Sequence, residues 1–107
     1  MDFARDNALR LARRLQEELI KNLGEPLEVI LFGSRARGEA TEGSDIDVLV
    51  LVPKLEKDTL DSILEAAWEV GFEAGEVISV IPATFEEMER LSASPFFQAV
   101  QREGIRV

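Results

Sequence analysis

The chain has 107 residues, 46% of them hydrophobic, enough for one core and too little for two, so a single domain over residues 1–107 is expected, without a separate substrate-binding domain. A formal charge of -9, from 21 acidic against 12 basic residues, argues against a nucleic-acid backbone as the main partner. Cysteine and histidine are absent. That excludes disulfides, thiolate nucleophiles and zinc-thiolate sites, and leaves acid-base and metal chemistry to Asp and Glu, with Lys or Arg as electrostatic help.

The N-terminus lacks the apolar region of a signal peptide, and no apolar run approaches the roughly 18 residues of a membrane span, so a cytoplasmic protein with no membrane partner is expected. From Asp2 to Leu23, Ala8, Leu11, Ala12, Leu15, Leu19 and Leu23 recur at three- and four-residue intervals, which predicts a first helix stopped by Gly24. Its Arg-rich face is ordinarily solvated, with a phosphate or an acidic partner as the alternative. Glu25-Pro26 breaks the helix before the apolar run Leu27–Phe32, read as a central strand buried on both faces. Gly33-Ser34 follows, then a short helical turn over Arg35–Ala40 and a loop at Thr41-Glu42-Gly43-Ser44. The second strand is Ile46–Val52, closed by Pro53.

A helix is predicted over Thr59–Val70, with Asp58 as its cap and Leu60, Ile63, Leu64 and Ala67 as its buried stripe. Trp68, beside that stripe, reads as core rather than as a platform for a base. Gly71 to Gly75 reads as a turn, and Glu76–Ile81 as a third strand ended by Pro82. Thr84 and Glu87 form a capping-box pattern that starts a short helix, and Ser94-Pro95 starts another that ends near Gly104. Phe85, Met88, Leu91, Phe96, Phe97 and Val100 are expected to cover the sheet, any exposed surplus marking a docking surface. The fold class is α/β or α+β, a three- to four-stranded mixed sheet with helices mainly on one face.

Chemistry concentrates in Leu31–Val52, LFGSRARGEATEGSDIDVLVLV. Asp45 and Asp47 stand one residue apart at a strand start, so both carboxylates share a face about 7 Å apart while Ile46 and Val48 point away. Such a pair repels itself unless a cation intervenes, and a hard cation such as Mg²⁺ suits oxygen ligands. Two such ions about 3.5–4 Å apart would form the clamp used in nucleotidyl transfer. Gly33 lets backbone approach a ligand, and the following amides with the Ser34 hydroxyl can bind phosphate. Arg35 and Arg37 either add charge to that phosphate site or pair with Glu39 and Glu42. For the two motif halves to meet, the first two strands must be antiparallel.

An apolar residue, Gly33-Ser34, a ten-residue spacer and Asp45-Ile46-Asp47 with apolar flanks resemble the nucleotidyltransferases of the DNA polymerase beta superfamily. The short chain and the wording GSRARGEA look most like the minimal nucleotidyltransferases often paired with HEPN-domain proteins. The resemblance implies a nucleoside triphosphate, ATP first, with two Mg²⁺ ions on Asp45 and Asp47, its phosphates on Gly33 and Ser34, and AMP passed to a hydroxyl of a HEPN-type toxin, this chain being the antitoxin. Self-association is the other partnership it suggests. Relatives place a third carboxylate on a strand beside the Asp pair. Here the strand offers only Glu76, at its start, and Ser79 stands where many relatives carry aspartate. With Glu76 the catalytic and metal site has three carboxylates; without it, two, and a catalytically weak module that neutralises its partner by contact becomes the competing account.

Overall fold

The computed structural model describes residues 2–39 and 43–107. Among them the chain runs α1 (Phe3–Leu23), β1 (Glu28–Phe32), α2 (Gly33–Arg37), β2 (Ile46–Val52), α3 (Lys57–Ala74), β3 (Ile78–Thr84), α4 (Phe85–Arg90), α5 (Pro95–Glu103) and β4 (Ile105–Arg106). The strands form one mixed sheet in the order β3-β2-β1-β4, an α+β architecture. β1 is antiparallel to β2, as the motif required, with Phe32 opposite Asp47. β2 and β3 are parallel, with Asp47 opposite Ser79.

Period-two alternation divides the sheet between two cores. Val29, Leu31, Ile46, Val48, Val50 and Val52 pack under the two long helices, against Leu11, Leu15 and Leu19 of α1 and Ile63, Ala67 and Val70 of α3. Ile30, Leu49 and Leu51 face the other way and meet Phe97 and Val100 of α5. The long helices thus lie on one face as expected, while α4 and α5 cover part of the second. Phe85, Met88 and Phe96 lean on this smaller cluster, and of the tail's apolar set only Leu91 is exposed.

Several ends are set by the residues that announce them. The Asp2 carboxylate accepts from the Arg5 amide at 3.0 Å, and Gly24, at φ 62°, ends α1. Thr84 and Glu87 make the full capping box. Ser94 caps α5, with Pro95 in its first turn.

Other boundaries differ from expectation. α3 begins at Lys57, with Asp58 inside its first turn rather than at its cap, and runs on to Ala74. Gly71 does not break it, because this glycine is buried where a Cβ would meet the Glu76 carbonyl at 2.7 Å; it permits close packing of the helix on the turn into β3. The helix stops at Gly75, at φ 69°. Its buried set is Ile63, Ala66, Ala67, Val70 and Gly71, whereas Leu64 and Trp68 are exposed. β3 starts at Ile78, leaving Glu76 before the strand, and continues through Pro82 to Thr84. As the sheet's edge it tolerates a residue with no amide to donate. The expected helical turn over Arg35–Ala40 is α2 as far as Arg37; Ala40, Thr41 and Glu42, with the expected Glu42 pairing, lie outside the described residues. The two-residue β4, announced by no pattern, pairs with Ile30 and Leu31.

Leu31→Ala, at a fully buried position of the larger core, is expected to lower unfolding free energy by about 2–5 kcal/mol. Thr84→Ala, which removes only the α4 cap, should cost about 1 kcal/mol. Urea titrations with matching slopes would measure both.

Candidate functional site

At one end of the sheet the register of β1 and β2 closes on Phe32 opposite Asp47, so the next residue, Gly33, lies against that carboxylate. Gly33 has φ 79°, and a Cβ there would overlap Asp47 itself. Only glycine supplies both the left-handed backbone and the space. Ile46 and Val48 are buried in the larger core, which leaves Asp47 on the opposite face. Gly33 and Asp47 therefore meet, Asp45, just before the strand, is close enough for its charge to act on Asp47, and Ser34 stands beside Gly33 in the first turn of α2.

At this half-buried strand end Asp47 is the perturbed carboxylate. Burial pushes the Asp47 carboxyl above the usual aspartate range, the charge of Asp45 pushes it further, and Arg37 pulls it back. An oxygen pair in this condition fits a hard divalent cation, which would relieve the repulsion and replace the lost solvation.

The two arginines part company. Arg35 is 2% exposed. Its Nε and Nη2 donate to the Ser44 carbonyl at 3.1 and 2.5 Å, Nη1 donates to the Ala4 carbonyl at 3.3 Å, and Nη2 also reaches the Glu76 carboxylate at 2.5 Å. With its donors engaged inside the protein, Arg35 is a brace for the segment leading into Asp45. Arg37 lies nearer the surface, donating to Glu39 at 3.1 Å and to Glu103 of α5 at 3.0 Å. Those carboxylates, Glu39 foremost, raise its pKa, and its charge is felt at Asp47. Of the two, Arg37 is the one placed to meet an anion at the carboxylate pair.

Glu76 is where expectation and structure diverge most. Its carboxylate is the partner of the buried Arg35, and among the described residues no three acidic side chains gather into a metal-binding cluster. The residue across the ladder from Asp47 is Ser79, a hydroxyl at the register where a third carboxylate would be expected. Sequence reading could not find the Arg35 brace, because two of its acceptors are backbone carbonyls, and Glu103 lies 66 residues from the Arg37 it pairs with.

Over residues 12–103 the sequence matches the family described as Nucleotidyltransferase domain. It is 33% identical over 85 residues to a bifunctional uridylyltransferase/uridylyl-removing enzyme of Thiobacillus denitrificans, covering 74% of this chain and 10% of that one. A protein of the same description from Burkholderia thailandensis is 35% identical over 88 residues, covering 78% and 10%. The chain thus spans only 10% of the length of the curated relatives it matches. Among solved structures, a candidate nucleotidyltransferase from Sulfolobus solfataricus superposes with a TM-score of 0.59 at 23% identity, covering 96% of this chain and 81% of that one. A toxin-antitoxin structure with AMP-PNP gives the same TM-score and identity over 87% and 69%. Both share the fold.

The raised Asp47 carboxyl has a consequence for stability. Between the ordinary aspartate pKa and the higher folded value, the folded state holds more protons than the unfolded one, so stability falls as pH rises through that window and stays lower above it. Asp47→Asn is therefore expected to melt higher than wild type at pH 7, with the advantage shrinking as pH falls through the window. Melting curves from pH 3 to pH 8 would measure it; an equal or lower midpoint at pH 7 would contradict the burial of charge inferred for Asp47.

Proposed function

The chain belongs to the nucleotidyltransferase domain family, and on that premise we propose that it transfers AMP from ATP to a hydroxyl of a partner protein of the HEPN toxin type, acting as the antitoxin. The observation that carries this reading is the approach of Gly33 to Asp47, with the charge of Asp45 near enough to act on that carboxylate. That corner offers backbone access for phosphate on one side and paired oxygen ligands on the other. The curated relatives are described as uridylyltransferases, and one structure sharing the fold was solved with AMP-PNP in a toxin-antitoxin assembly; both support a nucleoside triphosphate as donor.

Asp45 and Asp47 would hold magnesium, which supplies charge neutralisation at the donor's phosphates when bound. Gly33 and Ser34 would seat the phosphates, and Arg37, free to exchange Glu39 and Glu103 for a phosphate oxygen, would meet the negative charge that develops on them. Arg35 acts at one remove, holding the Ser44 carbonyl and with it the approach to Asp45. The acceptor oxygen bonds to the α-phosphorus, the α–β bridging oxygen leaves with pyrophosphate, and the hydroxyl proton passes to solvent. No nucleophile of the enzyme is consumed, since positioning and charge complementarity carry such reactions.

A second reading is favoured by one observation. With Glu76 tied to Arg35 and Ser79 opposite Asp47, the described residues offer an acceptor hydroxyl no third carboxylate grouped with the pair. A domain that binds nucleotide but transfers it poorly, and neutralises its partner by contact, fits that deficit.

Calorimetric titration of ATP and of UTP, each with Mg²⁺, into wild type and Asp45→Ala/Asp47→Ala separates the possibilities. Metal-dependent binding weakened at least about tenfold in the double variant, roughly 1.4 kcal/mol, is the expected result. Label from α-labelled ATP should then appear on the partner protein. Absence of binding at millimolar nucleotide in a folded wild-type chain would overturn the stand-alone site.

A further inference from the structure

Besides Phe3 and Ile20 of α1, Ile81 and Leu91, the exposed large apolar side chains gather on α3 and the turn that follows it. Leu64, Trp68 and Phe72 follow one another at four-residue spacing and are 45%, 65% and 70% exposed. Residues four apart on a helix form a continuous row. Trp68 and Phe72 stack on each other, ring centroids 4.9 Å apart and planes at 12°, and beside them Val77 is 62% exposed where the chain enters β3. Between the helix and that segment runs a groove of about 230 Å³, bounded by Ala67, Trp68, Phe72, Val77 and Ile78, with Glu76 at its wall. A stacked aromatic pair left in water beside a groove is more apolar surface than a helix of this length needs for its own packing.

The adjoining row is as regular and wholly acidic. Asp61, Glu65, Glu69 and Glu73 repeat at the same spacing and are all exposed. Asp61 is paired by Lys57 and Glu73 by Arg14, whereas Glu65 and Glu69, flanking Trp68 in sequence, have no ion-pair partner among the described residues. An apolar row beside a carboxylate row specifies its complement by charge. A second copy of this chain fits poorly, because antiparallel pairing of two α3 helices about the apolar row sets Glu65 and Glu69 of one copy against the same carboxylates of the other, and Lys57, the one cation at the head of the acidic row, is already paired with Asp61.

We propose that the Leu64–Trp68–Phe72 face of α3 docks an amphipathic helix from outside these 107 residues whose apolar stripe is flanked by a row of Lys or Arg. The aromatic pair and the groove receive the stripe, and Glu65 and Glu69 receive the basic row. The proposal does not rest on nucleotide transfer, since Leu64, Trp68, Phe72, Glu65 and Glu69 lie outside the carboxylate pair, although the groove's wall, Glu76, is also the partner of Arg35.

Trp68 is the chain's one tryptophan, so its emission reports directly on this face. Two synthetic helical peptides serve as probes, sharing a Leu row at four-residue spacing and differing only in whether the flanking row is Lys or Glu. The Lys-flanked peptide should shift Trp68 emission to the blue and saturate. Its affinity should fall with added salt, weaken at least about tenfold in Glu65→Lys/Glu69→Lys, and be lost in Phe72→Ser, while the Glu-flanked peptide leaves emission unchanged. The substituted positions are all exposed, and far-UV circular dichroism checks that each variant keeps its fold. Three results would overturn the proposal: equal binding of both peptides, which means apolar adhesion without charge selection; no shift with the Lys-flanked peptide up to about 1 mM; or a blue-shifted free protein that sediments as a dimer dissociated by Phe72→Ser, which makes a second copy the occupant.

Discussion

The candidate site depends on a buried guanidinium. Arg35 sits in α2, immediately after the Gly33-Ser34 corner, and from there reaches the start of α1 through Ala4, the chain just before Asp45 through Ser44, and the turn into β3 through Glu76. A full charge in the interior is tolerated only when its donors are satisfied and an opposite charge is at hand; here both conditions hold, and among the described residues no buried side-chain polar atom lacks a partner. The bidentate hold on one backbone carbonyl matters most for the site. It fixes a segment outside the strands, one residue before Asp45 and three before Asp47. A lysine could supply the charge but not the planar fork that spans these acceptors.

The division of the sheet into two faces then decides where Asp47 looks. The larger core under α1 and α3 takes Ile46 and Val48, so Asp47 must emerge on the side served by the shorter helices. α5 covers Leu49 and Leu51 and reaches the motif at two points, Phe96 packing edge-on against Phe32 and Glu103 meeting Arg37. The sheet end is thereby shielded enough to raise Asp47. The same desolvation costs stability whenever that carboxylate is charged.

Local chemistry was legible wherever a side chain closes a bond within a few residues or an alternation runs unbroken. The caps at Thr84 and Ser94, the stop at Gly24, both motif strands and their antiparallel pairing were all of this kind. What escaped depends on distant neighbours. Gly71 looks like a breaker until the Glu76 carbonyl is placed above it, and Pro82 looks like a strand end until β3 is known to be the edge. Trp68 reads as core from hydrophobicity alone, yet its position on the helix turns it outward beside Phe72. The roles of Arg35 and Arg37 could not be divided from spacing, since what separates them is burial.

Ser79 gives the departure from the expected site a physical sense. It stands opposite Asp47 on the neighbouring strand, on the same sheet face. A carboxylate at that position would add a third negative charge beside a group already raised by burial and by Asp45, worsening the repulsion when no cation is bound. A hydroxyl removes that cost and keeps a hydrogen-bonding group at the same register, but it cannot take a proton from an acceptor at neutral pH. Glu76 does not make good the difference, because its charge is already committed to the buried Arg35, and withdrawing it would leave that guanidinium without its counter-ion. The carboxylate nearest in sequence to that position is thus held by the fold itself as the counter-ion of Arg35.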